Sequence, residues 1–94
     1  MIISFGSRET EKNWNGERVK IIPMEIQKIG RRKLRMLNNS QNLLDLKIPP
    51  SNRLEKLSGK LKEYHSIRIN DQWRIIFIWK NNSAYQVTFI DYHK

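Results

Sequence analysis

Two arginines and a Tyr-His pair are the residues of this chain best suited to act on an anion. Arg68 and Arg74 lie in the stretch HSIRINDQWRIIFIW, and Tyr92 and His93 follow Asp91 in the stretch FIDYHK. Guanidinium groups bind phosphate bidentately, aromatic rings stack on unpaired bases, and imidazole is the commonest acid-base group near neutral pH. These side chains indicate chemistry on an anion and are compatible with RNA cleavage, in which the 2′-hydroxyl of the substrate attacks the adjacent phosphorus and no protein nucleophile is needed.

The predicted residues can meet only if the strands that carry them pair in order. HSIRI alternates in hydrophobicity, WRIIFIWK is apolar on both faces as a central strand should be, and YQVTFIDYH is predicted to be the last strand. In a meander, the start of the strand with Arg74 then lies beside the end of the strand with Asp91. Alternation places Tyr92 on one face and both Asp91 and His93 on the other.

The first half of the chain predicts one short strand and two helices. MIISF is β-branched and apolar, Ser7 is a suitable helix N-cap, and a second helix is predicted from about Pro23 to Leu37. LLDLKIPPSN is predicted to be a loop because of its two prolines, and NRLEKL a strand. The fold is therefore predicted to be α+β, with an N-terminal strand and two helices packed on one face of a mostly antiparallel sheet, and the arginines on the other face.

Size and charge limit the possible functions. A chain of 94 residues predicts a single domain over residues 1–94, and its net charge of +9 favours polyanionic partners, nucleic acid first. The sequence has no cysteine, no apolar run of about 18 residues and no signal-peptide pattern, so we expect a cytoplasmic protein that does not enter a membrane. It also has no glycine-rich phosphate loop and no cluster of metal ligands, so neither a metal nor a cofactor is predicted.

A basic stripe lies on the predicted second helix. Lys28, Arg31 and Arg35 are spaced for one side of it, and this pattern is equally compatible with a solvated face and with a partner surface. Trp73 and Trp79 lie on the same face of their predicted strand as Phe77. They are therefore predicted to lie in the core rather than to stack on bases.

Four segments give the chain a resemblance to a known family. The segments are MIISF, NRLEKLSG, HSIRINDQWRIIFIW and DYH, and together they extend over nearly the whole sequence. In these segments the chain resembles the RelE/ParE toxin superfamily, in its HigB-type branch. The resemblance implies a small basic α+β toxin with two N-terminal helices against a mostly antiparallel sheet. It also implies a metal-independent endoribonuclease that cuts mRNA on the translating ribosome and is silenced by a helix-turn-helix antitoxin of the HigA type.

The resemblance also implies residue roles. Arg74 is expected to contact the scissile phosphate, Tyr92 and His93 to belong to the catalytic end, and Asp91 to support them. The sequence departs from the pattern at Glu55, where relatives place a histidine. The general base is therefore either Glu55 or His93 acting on both protons, and Glu55 is also compatible with a structural pairing to a neighbouring cation. A second departure is a serine at position 58, where a lysine is often found.

The expected partners are the ribosome, mRNA and the antitoxin, with operator DNA reached only through the antitoxin. Residues expected to bind RNA or the ribosome are Arg53, Lys56, Lys60 and Arg68, of which the two arginines are equally compatible with ordinary exposed strand positions. The antitoxin is expected on the stripe of Lys28, Arg31 and Arg35. The rival hypotheses are a ParE-like toxin that binds DNA gyrase and cleaves nothing, and a simple nucleic-acid-binding module; the DYH ending favours RNA cleavage.

Overall fold

The strands follow one another across a single sheet in sequence order. The computed structural model describes residues 1–92, in which helices α1 (Arg8–Trp14) and α2 (Met24–Asn39) precede strands β1 (Glu55–Lys56), β2 (His65–Arg68), β3 (Trp73–Lys80) and β4 (Ser83–Asp91). Every neighbouring pair of these strands is antiparallel, in the order β1-β2-β3-β4. This confirms the predicted α+β arrangement of two helices on a mostly antiparallel sheet.

The segment predicted as an N-terminal strand lies along β4 in the parallel direction. It forms two isolated bridges, Ile2 with Ala84 and Phe5 with Val87, rather than a continuous ladder. Between them Gln86 adopts a positive φ of 54° and its N–H donates to the Ser4 hydroxyl instead of a backbone carbonyl. The irregularity in β4 therefore interrupts the pairing.

The helices begin close to the predicted residues. Ser7 caps α1, and its hydroxyl accepts a hydrogen bond from the Thr10 N–H. Helix α2 begins after Pro23 and runs two residues beyond the predicted end at Leu37. Gly30 permits close packing of this helix on the sheet, because a Cβ there would stand 2.6 Å from the ring of Phe89.

The core lies between α2 and the inner face of the sheet. Leu34 of α2 and the strand residues Ile67, Ile75 and Phe77 are completely buried. Trp73 and Trp79 are half-buried and pack against this core, as predicted. Ile76, on the opposite face of β3, is also buried, which confirms that β3 is a central strand.

The segment between α2 and β2 differs most from its predicted structure. The strand predicted over NRLEKL contains only the two residues of β1. It starts late because residues Pro50–Asn52 form a 3-10 turn and Arg53 adopts the left-handed conformation, with φ 47°. Residues Leu43–Lys47 and Gly59–Leu61 form further 3-10 turns. Over residues 1–92, no helix is both long and apolar enough to span a membrane.

Candidate active site

The strand register brings two of the predicted catalytic residues, Arg74 and Asp91, to one end of the sheet. Arg74 is the Cα partner of Arg68 on β2 and of Ile90 on β4, and Trp73 pairs with Asp91. The start of β3 therefore lies beside the end of β4, which confirms the predicted pairing.

Arg74 is held by contacts from three other segments. One terminal nitrogen, Nη1, donates to Glu55 Oε1 at 3.3 Å, and Nη2 donates to the Arg53 carbonyl at 2.9 Å. The guanidinium carbon lies 5.5 Å from the centroid of the Tyr92 ring, within cation-π range. With only 11% of its side chain exposed, Arg74 has a defined orientation and still keeps N–H donors for a ligand.

An open cleft of about 560 Å³ lies around this arginine. Its lining residues come from the 3-10 turn before β1, from the β2–β3 turn, and from the ends of the strands: Pro50, Ser51, Arg53, Arg68, Asn70, Asp71, Arg74 and Tyr92. Three arginines and one aspartate make the lining net positive. The cleft is therefore suited to an anion with an aromatic or heterocyclic neighbour.

Arg68 forms an ion pair with Asp71 at the rim of the cleft. The hydrogen bond from Arg68, reinforced by its charge, lowers the pKa of Asp71 from its ordinary value. The Arg68 side chain is 31% exposed, compared with 11% for Arg74. It is thus less constrained than Arg74 and can exchange its carboxylate partner for another anion.

Asp91 and Tyr92, at and just beyond the end of β4, contact different residues. Tyr92 is half-exposed and lies over Arg74, and its N–H donates to the Gln72 carbonyl at 2.6 Å. Asp91 Oδ2 accepts a hydrogen bond from Gln72 Nε2 at 3.0 Å. His93 lies outside the described residues.

Glu55 contacts Arg74 although it does not line the cleft, and two of the predicted RNA-binding lysines have other surroundings. Glu55 pairs with Arg74 across two strand steps, and not with Arg53 or Lys56. The Lys56 ammonium donates to the Lys62 carbonyl, and Lys60 lies exposed in the 3-10 turn Gly59–Leu61. Neither lysine lines the cleft.

Four cleft residues were not predicted to be functional: Pro50, Ser51, Asn70 and Asp71. The clearest missed signal is the NDQ turn that connects β2 to β3. Its Asn70 side chain accepts hydrogen bonds from the N–H groups of Gln72 and Trp73, at 2.9 and 2.7 Å, and so fixes the approach to β3. The asparagine in the short turn before β3, the strand that carries Arg74, could have indicated that this turn is part of the cleft.

His65 lies at the start of β2 and does not line the cleft. It stacks on Phe77, and burial, followed by the charge of Lys56, lowers the pKa of its imidazole below the ordinary value. Within residues 1–92, no cluster of three or more His, Cys, Asp or Glu side chains could hold a metal ion.

A second, basic concavity of about 420 Å³ lies beside α2 and includes the predicted stripe. Lys28 and Arg35 are exposed, while Arg31 is half-buried and its Nε donates to the Asn13 carbonyl at 3.0 Å, which joins α2 to α1. Arg18 and Arg32 add further positive charge. Two exposed apolar side chains, Ile21 and Met24, lie in the adjoining segment. This surface, termed the α2 basic cleft, is suited to a partner that is both acidic and apolar.

Sequence comparison places the chain among toxins. Residues 5–93 match the model of the HigB-like toxins, described as the RelE-like toxin of the type II toxin-antitoxin system HigB. The chain is 40% identical over 95 residues to Toxin HigB-1 of Vibrio cholerae serotype O1, with 100% of this chain and 99% of that protein covered. It is also 40% identical over 72 residues to an uncharacterized protein of Haemophilus influenzae, with 77% and 70% covered.

Solved structures of two toxins share the fold. The YoeB-YefM toxin-antitoxin complex of Staphylococcus aureus contains a chain that superposes with a TM-score of 0.63 at 17% identity, covering 100% of this chain and 99% of that one. YafQ of Escherichia coli superposes with a TM-score of 0.58 at 15% identity, covering 97% and 93%. Because these identities are low, the likeness concerns the fold.

Proposed function

The chain belongs to the HigB-like family, the RelE-like toxins of type II toxin-antitoxin systems, and we propose that it is a metal-independent endoribonuclease that cleaves mRNA on the translating ribosome. The observation that carries the proposal is the placement of Arg74. A guanidinium that is nearly buried, hydrogen-bonded on two sides and covered by an aromatic ring is preorganised for a phosphate. The mostly positive cleft around it is open to solvent and suits a single strand of RNA.

In the proposed reaction, the 2′-oxygen of the substrate attacks the adjacent phosphorus and the bond from phosphorus to the 5′-oxygen breaks. The products are a 2′,3′-cyclic phosphate and a free 5′-hydroxyl. Negative charge builds up on the non-bridging oxygens, where the fixed N–H donors of Arg74 stabilise it. Two protons must move, one from the 2′-hydroxyl and one to the departing 5′-oxygen.

Glu55 is the proposed general base and His93 the proposed general acid. The Glu55 carboxylate is half-exposed and hydrogen-bonds to Arg74, so a phosphate held by Arg74 would bring the attacking 2′-hydroxyl near it. His93 follows Tyr92 directly in the sequence. In the alternative, His93 moves both protons in turn. The pH dependence of the cleavage rate would then differ from that of the mechanism with two separate groups.

Tyr92 and Asp91 support the reacting groups in this proposal. The Tyr92 ring covers Arg74 and offers a half-exposed aromatic edge on which a base next to the scissile phosphate can stack. Asp91, hydrogen-bonded by Gln72, is proposed to support the catalytic end of the chain.

Substrate binding is proposed to involve two groups of cations. Arg53 and Arg68 line the cleft and are proposed to bind the RNA strand next to the scissile bond. Lys56 and Lys60 lie apart from the cleft, so their proposed contacts are with more distant phosphates of mRNA or of the ribosome. Asp71 must release Arg68 when a phosphate takes its place.

The antitoxin is proposed to occupy the α2 basic cleft. Lys28, Arg31 and Arg35 supply positive charge there, while Ile21 and Met24 supply exposed apolar surface beside it. A helix-turn-helix antitoxin of the HigA type with an acidic, amphipathic segment fits both properties. The toxin would reach operator DNA only through that partner, and both proteins would act in the cytoplasm.

The decisive experiment is single-turnover cleavage of a defined mRNA on programmed ribosomes. The same mRNA without ribosomes, and toxin that has been treated with EDTA and then desalted before it is added to the programmed ribosomes, form the parallel arms. The proposal expects cleavage on the ribosome, much slower cleavage of free mRNA, and the same rate with the EDTA-treated toxin. Growth arrest without any RNA cleavage, together with inhibition of DNA gyrase, would support the non-nuclease alternative instead.

A further inference from the structure

A buried asparagine fixes the backbone segment that contacts Arg74. Asn52 ends the 3-10 turn Pro50–Asn52 and is completely inaccessible to solvent. Its Oδ1 accepts a hydrogen bond from the Lys33 ammonium, and its Nδ2 donates to the Leu46 carbonyl at 3.0 Å and contacts Met36 Sδ at 3.1 Å. Since a buried amide is costly without partners, these contacts attach the turn firmly to α2 and to the segment before it.

The next residue, Arg53, connects the attached turn to the candidate catalytic residue Arg74. Arg53 adopts φ 47° and ψ 57°, and its N–H donates to the Pro50 carbonyl at 3.0 Å. A left-handed conformation is unfavourable for a non-glycine residue and persists only where the surroundings impose it. In this conformation the Arg53 carbonyl accepts a hydrogen bond from Arg74 Nη2 at 2.9 Å.

Lys33 completes the anchor from the helix side. It is half-buried, and burial, followed by the charges of Arg32 and Arg68, lowers the pKa of its ammonium. Through Asn52, Lys33 is joined to the turn that precedes Arg53, a residue of the cleft lining. A helix residue, a buried amide and a strained backbone carbonyl therefore form a continuous series of contacts that ends on Arg74.

We propose that Asn52 is a positioning residue for Arg74, acting through the Arg53 carbonyl, with Lys33 as its anchor on α2. The inference rests on the proposed function of Arg74 in RNA cleavage. Asn52 does not line the cleft, so its contribution is the orientation of the guanidinium and not a contact with RNA. Small misplacements of a catalytic group can reduce a rate by about 10²-fold, and this sets the size of the expected effect.

The test combines a spectrum with a rate. In the Asn52→Ala variant, the Nε–Hε resonance of Arg74 in a nitrogen-15 correlation spectrum should shift and lose its heteronuclear NOE. Single-turnover cleavage at saturating ribosome-bound mRNA should fall by about 10- to 100-fold. Affinity for a non-cleavable 2′-O-methyl oligonucleotide should change much less, because the charge of Arg74 remains.

Asn13→Ala is the matched control, because Asn13 is also a completely buried asparagine but lies on α1, away from the cleft. It should leave the Arg74 resonance and the rate unchanged even where the melting temperature falls. In an Arg74→Lys background, Asn52→Ala should cause little further loss of rate. If Asn52→Ala does not fold, Lys33→Met removes the anchor and should give the same changes at smaller size.

An unchanged Arg74 resonance in a folded Asn52→Ala protein would overturn the inference, as would cleavage at the parental rate. A loss of rate equally large in the Arg74→Lys background would do the same, because Asn52 would then act by another route. Absence of cleavage by the parent would instead reject the proposed function, and the Arg74 spectrum would still decide whether Asn52 positions this side chain.

Discussion

The guanidinium of Arg74 lies against the ring of Tyr92, with its central carbon 5.5 Å from the ring centroid. Arg74 lies on β3 and Tyr92 directly follows β4, and the contact is fixed from the backbone side by the hydrogen bond from the Tyr92 N–H to the Gln72 carbonyl. One ring can thus orient the arginine and, at its exposed edge, receive a base. These two roles can be separated by substitution.

Replacing Tyr92 by leucine should reduce cleavage more than replacing it by phenylalanine. Phenylalanine keeps the ring over Arg74, while leucine removes a cation-π contact of about 0.5 to 1 kcal/mol at an exposed site and any base stacking. Single-turnover rates on programmed ribosomes provide the comparison. A phenylalanine variant as slow as the leucine variant would indicate that the hydroxyl takes part directly.

Arg74→Lys should reduce the cleavage rate by about 10²- to 10³-fold, because an ammonium cannot hold Glu55, the Arg53 carbonyl and a phosphate in one plane. Arg68→Lys is the matched control, since it removes an arginine from the same cleft but keeps the charge. Arg68→Lys should be nearly silent, because a positive charge is enough at this position. If the Arg74→Lys variant cleaves at the parental rate, Arg74 contributes only its positive charge to the basic surface.

The order of β2, β3 and β4 could be predicted because the turns between them are short and the strands alternate in hydrophobicity. The position of the start of β3 beside the end of β4 follows from that order, whereas the register shift between Ile76 and Ile78 does not. The helix cap at Ser7 is equally local, because its partner is the Thr10 N–H.

The contacts of Arg74 outside the meander could not be predicted in this way. The left-handed conformation of Arg53 has no local sequence signal, since arginine seldom adopts it, and it depends on Asn52 being held by Lys33. The pairing of Glu55 with Arg74 joins β1 to β3 across β2, between residues 19 positions apart, so it has no local sequence signal either. Tertiary contacts decided both features.

Glu55→Gln and His93→Gln should each reduce cleavage by about 10²- to 10⁴-fold, and each should remove a different limb of the pH-rate profile. Loss of the base should flatten the rise of the rate with pH, and loss of the acid should flatten its fall. Glu63→Gln, at an exposed position outside the cleft, is the control for the change of charge. If Glu55→Gln keeps the parental rate and profile, the carboxylate only orients Arg74 and His93 carries both protons.

His65 should make the fold less stable in mild acid. Its pKa is lowered in the folded protein, so between that value and the ordinary 6.5 the unfolded chain binds more protons. The free energy of unfolding should therefore fall as the pH drops through that window, and His65→Gln should weaken this dependence. Urea denaturation between pH 7.5 and 5 measures this pH dependence. Asp71, whose pKa is lowered from 3.8, stays charged throughout that range.

The sequence has two histidines, so the comparison is best made in a His93→Gln background, where position 65 carries the remaining imidazole. Parallel pH dependence in the proteins with and without His65 would contradict the assignment. A steeper dependence after removal of His65 would mean that the folded state favours the charged imidazole, which is incompatible with its burial beside Lys56.

Charge reversal in the α2 basic cleft should slow binding of the cognate antitoxin. Lys28→Glu with Arg35→Glu is the preferred pair because both side chains are exposed, whereas Arg31 also joins α2 to α1 through the Asn13 carbonyl. Exposed charges act mainly on the association rate, so this rate should fall and its salt dependence should weaken. Stopped-flow association at several salt concentrations measures both effects.

Lys60→Glu with Lys62→Glu changes the net charge equally on the 3-10 segment before β2, and this control separates local from overall electrostatics. The two double variants should differ in association rate although their net charges are the same. Equal slowing of both would show that only the total charge of +9 attracts the antitoxin. Substituting the exposed Ile21 by aspartate should then raise the dissociation rate, because apolar contact at the same surface acts after encounter.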